Sequence, residues 1–319
     1  MSSPILKLLA QRIATGIVLL FAVSVLIFVG TEILPGDVAQ SILGQSATPQ
    51  SLANLREQLG LDQPSYVRYL SWLGGVLTGD LGVALTSGQD IASSIGGRLW
   101  NTLFLAASAA IVAVPLAILL GLLAVRYRNG PIDKAISGFA LASTSFPEFF
   151  IGYLLVFFLA VKWQIFPAIS TVYDGMGLGE RLMAVALPAA ALTLVVLAHM
   201  MRMTRAAILN VMQSAYIETA ELKGLRPLAI IRKHALPNAI APVANVVMLN
   251  LAYLIVGVVV VEVIFVYPGM GQYLVDHVAK RDVPVVQAVG LIFAAVYILL
   301  NMVADIAAIV SNPRLRHPK

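Results

Sequence analysis

The amino-acid sequence predicts an all-α membrane protein with six transmembrane helices and both termini on the cytoplasmic face. Three observations carry this. First, 59% of the 319 residues are apolar and only 12% are charged, against roughly 45–50% and about 25% in soluble chains. Too little polar surface remains to cover a soluble domain. Second, residues 13–31, 99–125, 182–201, 235–261 and 283–304 contain no Asp, Glu, Lys or Arg, and 135–161 is interrupted only by Glu148. About 20 such residues cross roughly 30 Å of hydrocarbon, and these runs are too long and lack the period-two alternation of barrel strands. Third, 14 of the 21 Lys and Arg residues lie in the N-terminus, 126–134, 202–234 and the C-terminal tail. Basic residues prefer the cytoplasmic side, which sets the orientation.

The first helix occupies residues 1–34. Lys7 and Arg12 before an apolar run suggest a signal peptide, but the run exceeds the usual ~7–15 residues and ends without a small-x-small cleavage site. It reads as an uncleaved helix. Residues 35–98 form a polar, Gly-rich extracytoplasmic segment with short helices over 49–60 and 65–76. Gly75 and Gly79 match a helix-pairing spacing but lie outside any apolar run, so they read as turn chemistry. The domain 95–309 carries the remaining helices, at about 99–125, 135–161, 182–201, 240–263 and 283–309. Pro115 and Pro188 predict kinks in two of them. Trp72, Trp100 and Trp163 all fall on the outer side, and Trp100 and Trp163 sit at helix ends, as an interfacial aromatic belt requires.

Several chemistries are excluded. The chain has no cysteine, hence no disulfide, thiolate nucleophile or Cys-ligated metal. The basic residues alternate with apolar runs instead of clustering on one soluble face, which argues against nucleic acid as a partner. Nucleotide-binding, zincin and serine-hydrolase motifs are missing, and His199, His234, His277 and His317 are scattered over different segments. No metal site, no cofactor and no enzymatic activity are expected in this chain. Work on a solute must draw on an ion gradient or on another subunit.

A charge at bilayer depth costs roughly 2.5–3.5 kcal/mol on insertion scales, so polar groups inside the runs need a purpose. Glu148, beside Pro147, either lines a solute path and attracts a cationic group or bonds to a neighbouring helix. Asn245, Asn250 and Asn301 pair helices or face a cavity. Glu262 and Asp305 lie near helix ends, where a carboxylate reaches water, and His199 reads as interfacial.

The loop 202–238 is the most informative segment. Residues 215–224 predict a short helix with Gly224 at its left-handed terminus, and Pro227 opens a second. Ile217, Ala220, Gly224, Leu228 and Ile231 recur at helical spacing and form an apolar ridge on a segment too charged for the membrane. The ridge either receives a partner, with Ala220 and Gly224 allowing close approach, or packs on the protein's own helix ends.

Glu218-Thr219-Ala220, three residues, Gly224, nine residues, His234, one residue and Leu236-Pro237 resemble the cytoplasmic loop of binding-protein-dependent ABC importer permeases. Thr219 and His234 stand where that loop usually has Ala and Ile. The segments 79–82 (Gly-Asp-Leu-Gly), 145–147, 232–239, 262–271, 281–287 and Asn312-Pro313-Arg314 resemble the oligopeptide, dipeptide and nickel branch, in order along nearly the whole chain. The resemblance implies the type I ABC importer permease fold in a bacterial inner membrane, paired with a second homologous permease. It also implies two ATP-binding cassette subunits that hold ATP and Mg, and an extracytoplasmic binding protein that delivers short peptides or a related solute. Tyr216, Ile217, Glu218, Thr219, Ala220, Lys223, Gly224, Leu236 and Pro237 would then form the ATPase-coupling loop, with Glu148, Asn245 and Asn250 along the solute path. The competing class is an ion-coupled secondary transporter. That class favours interacting midplane carboxylates and an inverted repeat, whereas Glu148 stands alone at mid-run and the two halves show no similarity.

Overall fold

The computed structural model describes residues 3–33, 38–58, 60–173 and 175–311. Asn312-Pro313-Arg314, His317 and the basic tail lie outside them, as do residue 34, the expected end of the first helix, and residues 35–37. The described residues are mostly helical and hold no strand beyond one isolated β-bridge between Val83 and Asp90. In chain order the helices are α1 (Ser3–Ile33), α2 (Val38–Leu43), α3 (Pro49–Gln58), α4 (Ser65–Thr78), α5 (Ile91–Arg126), α6 (Pro131–Ser145), α7 (Glu148–Leu155), α8 (Leu178–Met212), α9 (Ala215–Leu222), α10 (Pro227–Ile230), α11 (Leu236–Ile264), α12 (Met270–Ala279) and α13 (Val283–Ser311). Among the described residues, five helical stretches are long and apolar enough to span a bilayer, and a bent pair makes six if it counts as one span.

That pair corrects the expectation of a single helix over 135–161. α6 ends at Ser145 and α7 begins at Glu148, with a bend of 103° between them. Pro147 has no N–H to continue the ladder and pushes the preceding residue out of the helical region; Phe146 accordingly sits at ψ 137°. α7 then relaxes into π-helical turns over Val156–Lys162. Elsewhere the helices overrun the charge-free runs. α8 continues to Met212, so the first third of the expected loop 202–238 is helix.

The chain divides into two compact units. The first comprises Met1–Ile13, Leu103–Tyr267 and Leu299–Lys319. α8 is its core, burying Leu187, Leu192, Met200, Met201 and Ile208. Small residues set the helix spacing. A Cβ on Gly121 of α5 would come within 3.0 Å of Thr204, and one on Gly152 of α7 within 3.1 Å of Ile264. Such close approaches are how helices associate where lipid removes the hydrophobic driving force. Polar ties supplement them. Arg205 of α8 holds Asp133 of α6 through two hydrogen bonds of 2.9 and 2.8 Å, and Arg12 pairs with Asp305 at 2.9 Å. Glu262 departs from expectation, being fully buried. Burial pushes the Tyr267 phenol up to about 12; the charge and hydrogen bond of Arg181 act to lower it, and the charge of Glu262 acts in the same direction as burial.

The second unit comprises Ala14–Thr102 and Pro268–Ile298. Phe28 of α1 packs edge-on against Tyr69 of α4, whose hydroxyl meets Ser24 at 2.8 Å. Of Gly75 and Gly79, only Gly79 is a turn residue, closing α4 at φ 87°, a region glycine enters without penalty; Gly75 lies within α4. Asp282 is buried and accepts hydrogen bonds from the Leu85 and Thr86 amides and the Thr86 hydroxyl at 3.1, 2.9 and 2.8 Å. Two sequence segments almost 200 residues apart are thereby pinned together.

Candidate functional site

The segment 213–238 folds as a hairpin. Ser214 turns the chain into α9 with extended backbone (ψ 147°). The Gly224 amide donates to the Glu221 carbonyl at 2.8 Å, and Gly224 reverses the chain at φ 74°. Pro227 then starts α10, where its missing N–H costs nothing. π-helical turns over Ile231–Ala235 lead into α11.

The apolar ridge read from periodicity divides into two sides. Ile217 and Ala220 bury against Ile230, Ala235, Val211 and Met212 inside the hairpin. Ile231 buries with Val125, Ile208, Ala239 and Val243, which ties the hairpin to α5, α8 and α11. Ala220 therefore admits the hairpin's own second arm. Gly224 has open space around its Cβ position, so its role is the left-handed turn. The outward side carries Leu222 at 84% exposure, Leu225 at 41% and Leu228 at 60%, beside Tyr216 at 44%. Leu222 and Leu225 went unrecognised in the periodicity because they fall off the 3–4 spacing of the ridge. Glu218, Thr219, Glu221, Lys223, Arg226, Arg232 and Lys233 stand exposed around these leucines, and Leu236 and Pro237 start α11 half-buried and exposed respectively.

The polar residues of the apolar helices separate in the same way. Glu148 opens α7 and accepts a hydrogen bond from the Tyr253 hydroxyl of α11 at 3.0 Å. Gly257 leaves room for that carboxylate, since a Cβ there would lie 3.6 Å from Glu148 Oε2. Asn245 is exposed on α11, on the stripe that continues through Leu249, Tyr253, Val256 and Val260. Asn250 is buried. Its amide donates to the Val246 carbonyl at 2.7 Å, and its oxygen lies 3.1 Å from His199 Nδ1, so it pairs α8 with α11 and is turned away from that stripe. Tyr253, the partner of Glu148, had no signal in the sequence beyond its place in the stripe. Among the described residues no group of His, Cys, Asp or Glu is placed to hold a metal ion.

Two family models match. Residues 113–317 match the model described as binding-protein-dependent transport system inner membrane component, and residues 5–102 match its N-terminal membrane-component domain. The chain is 33% identical over 307 residues to the "probable peptide ABC transporter permease protein y4tP" of Sinorhizobium fredii, covering 96% of this chain and 98% of that one. It is 35% identical over 312 residues to the "glutathione transport system permease protein GsiC" of Escherichia coli K12, covering 98% and 99%.

Proposed function

We propose, from the premise that this chain belongs to the binding-protein-dependent transport inner membrane family, that it takes its driving force from ATPase subunits through the 213–238 hairpin and moves short peptides. As a member of that family it is a multi-pass inner membrane permease that works with ATPase and solute-binding subunits, and ATP is used by the partners. The peptide assignment rests on the names of the two relatives, a peptide and a glutathione permease. The finer arrangement is a pair of homologous permeases, two cassette ATPases holding ATP and Mg, and both termini of this chain in the cytoplasm with the hairpin.

The observation that carries the reading is the hairpin's two-sidedness. Its inner face is packed onto α5, α8 and α11, so a push on it moves those helices as a body; its outer face presents Leu222, Leu225 and Leu228 to a partner. Solvent-exposed leucines grouped in this way mark an interaction surface. Tyr216, Glu218, Thr219, Lys223 and Gly224 border that face, and Pro237 marks the root of the lever. Glu148 and Asn245, with the stripe on α11, face the second permease and the solute path in this account.

Uptake into membrane vesicles tests it. Depleting ATP abolishes uptake of a short peptide, while a protonophore leaves the initial rate within about a factor of two. Uptake that survives ATP depletion and collapses with the protonophore would assign the chain to ion-coupled transport.

A further inference from the structure

Glu148 is the one Asp, Glu, Lys or Arg in residues 135–161, and residues 182–201 and 235–261 have none. These stretches run through α6, α7, α8 and α11 of the first unit, where α8 packs on α6, α7 and α11, and α7 packs on α11. The fixed charge at this level is therefore a single negative one. Among the described residues no ion pair includes Glu148, and His199, the one histidine of these stretches, is bonded to Asn250.

Depth narrows what that charge can meet. Tyr253, which donates to Glu148 Oε1, stands eleven positions before the end of α11 at Ile264, roughly 16 Å along the helix at about 1.5 Å per residue. That is the midplane of a hydrocarbon core about 30 Å thick, out of reach of lipid headgroups. A carboxylate there belongs on a water-filled path or beside an opposite charge. Glu148 is partly exposed and Tyr253 exposed, on the stripe that continues through Leu249, Val256 and Val260.

The pair has acceptor capacity to spare. Tyr253 fills one of about four lone-pair sites on the carboxylate, and glycine at 257 keeps the wall of α11 off Oε2. Because the phenol gives its proton to Glu148, its own oxygen is left as an acceptor, and its exposed ring adds a face that attracts cations. Two adjoining acceptors and a ring, with no donor left over, suit an ammonium and repel an anion. One carboxylate is too few for a hard metal ion.

We infer that Glu148 and Tyr253 determine specificity on the solute path by receiving the ammonium of the solute at mid-membrane, so that the permease itself favours solutes with a free amino end. The inference rests on the proposed function and adds to it a chemical selection made by this chain.

The test measures uptake into proteoliposomes that hold the assembled importer, at saturating binding protein loaded with tri-alanine. Glu148→Gln keeps the size and the acceptor for Tyr253 and removes the charge. At pH 7 it lowers uptake at least about tenfold, the worth of a hydrogen bond to a charged group. Tyr253→Phe, which loses the acceptor oxygen, lowers uptake less. Melting temperature and ATP hydrolysis stimulated by the loaded binding protein stay native in both. At pH 9 most amino ends, with a pKa of about 7.7–8.0, are neutral, and the native-to-Gln ratio falls at least about threefold. Uptake by Glu148→Gln within about a factor of two of native at pH 7, too small a loss for a charged hydrogen bond, overturns the inference, as does an equal deficit at both pH values. Native uptake that needs no ATP counts against the proposed function alone, because the ratio is taken under whichever force drives uptake. Absence of native uptake removes the peptide assignment and the inference with it.

Discussion

Replacing Leu225 and Leu228 together with Asp is expected to reduce ATP-driven uptake at least about tenfold and to strip the ATPase subunits from the purified complex, while the chain still accumulates in the membrane and melts as the native protein does. The expectation follows from where the side chains point. Both leucines are exposed on the chain, so an aspartate at either position costs the fold little. In a seated interface, truncating a central apolar anchor costs 2 kcal/mol or more, about thirtyfold in affinity. Ile217→Asp is the contrasting variant. Ile217 is fully buried within the hairpin, and a charge there unfolds the element itself, lowering coupling and thermal stability together. Uptake at the native level in the double Leu variant would remove the hairpin's outer face from the mechanism. Parallel losses of uptake and of melting temperature would show that the two leucines serve the fold.

The second large effect is expected at Arg205. Asp133 is buried at the start of α6, and beyond its two bonds to Arg205 it accepts the Asn129 amide at 3.0 Å. Removing one partner of such a pair typically costs 3–5 kcal/mol, because the remaining charge stays buried without compensation. Arg205 is partly exposed (29% of its side chain), which places Arg205→Ala at the lower end, about 3 kcal/mol. The detergent-solubilised variant should melt several degrees lower. Asp133→Leu combined with Arg205→Met should recover most of the loss, since a matched apolar pair avoids the desolvation cost. If Arg205→Ala melts within about 1 °C of the native chain, the pair is not a structural tie between α6 and α8.

What could be read in advance follows from which physical signals are local. The long charge-free runs are local, and they located the spans of α1, α5, α8, α11 and α13. Their ends were harder to place, because α5 and α8 remain helical past Arg98 and Arg202, where the chain has left the apolar run. The break at Pro147 was visible as a proline, but a 103° bend depends on what the two arms pack against. Gly224 and Pro227 signalled the hairpin correctly, since a left-handed turn and a helix start are properties of single residues. The division of its ridge was not legible. Periodicity shows that Ile217, Ala220 and Ile231 share a face, and only the path of α10 shows that the face is closed by the protein itself. Asn250 and Asn245 illustrate the same limit: five positions apart on one helix, one is buried against His199 and the other exposed. Neither the Asp133–Arg205 pair nor the Glu148–Tyr253 contact has a signature at short range, because each joins segments far apart in the chain.

The central claim is that an ATPase subunit seats on the outer face of the hairpin, and a single thiol tests it most directly. The chain has no cysteine, so Leu228→Cys gives it one reactive site. The account predicts that a water-soluble maleimide modifies this chain rapidly when it is alone in detergent, and at least about tenfold more slowly in the assembled, transport-competent complex. Equal labelling in both states, with uptake intact after modification, would contradict it.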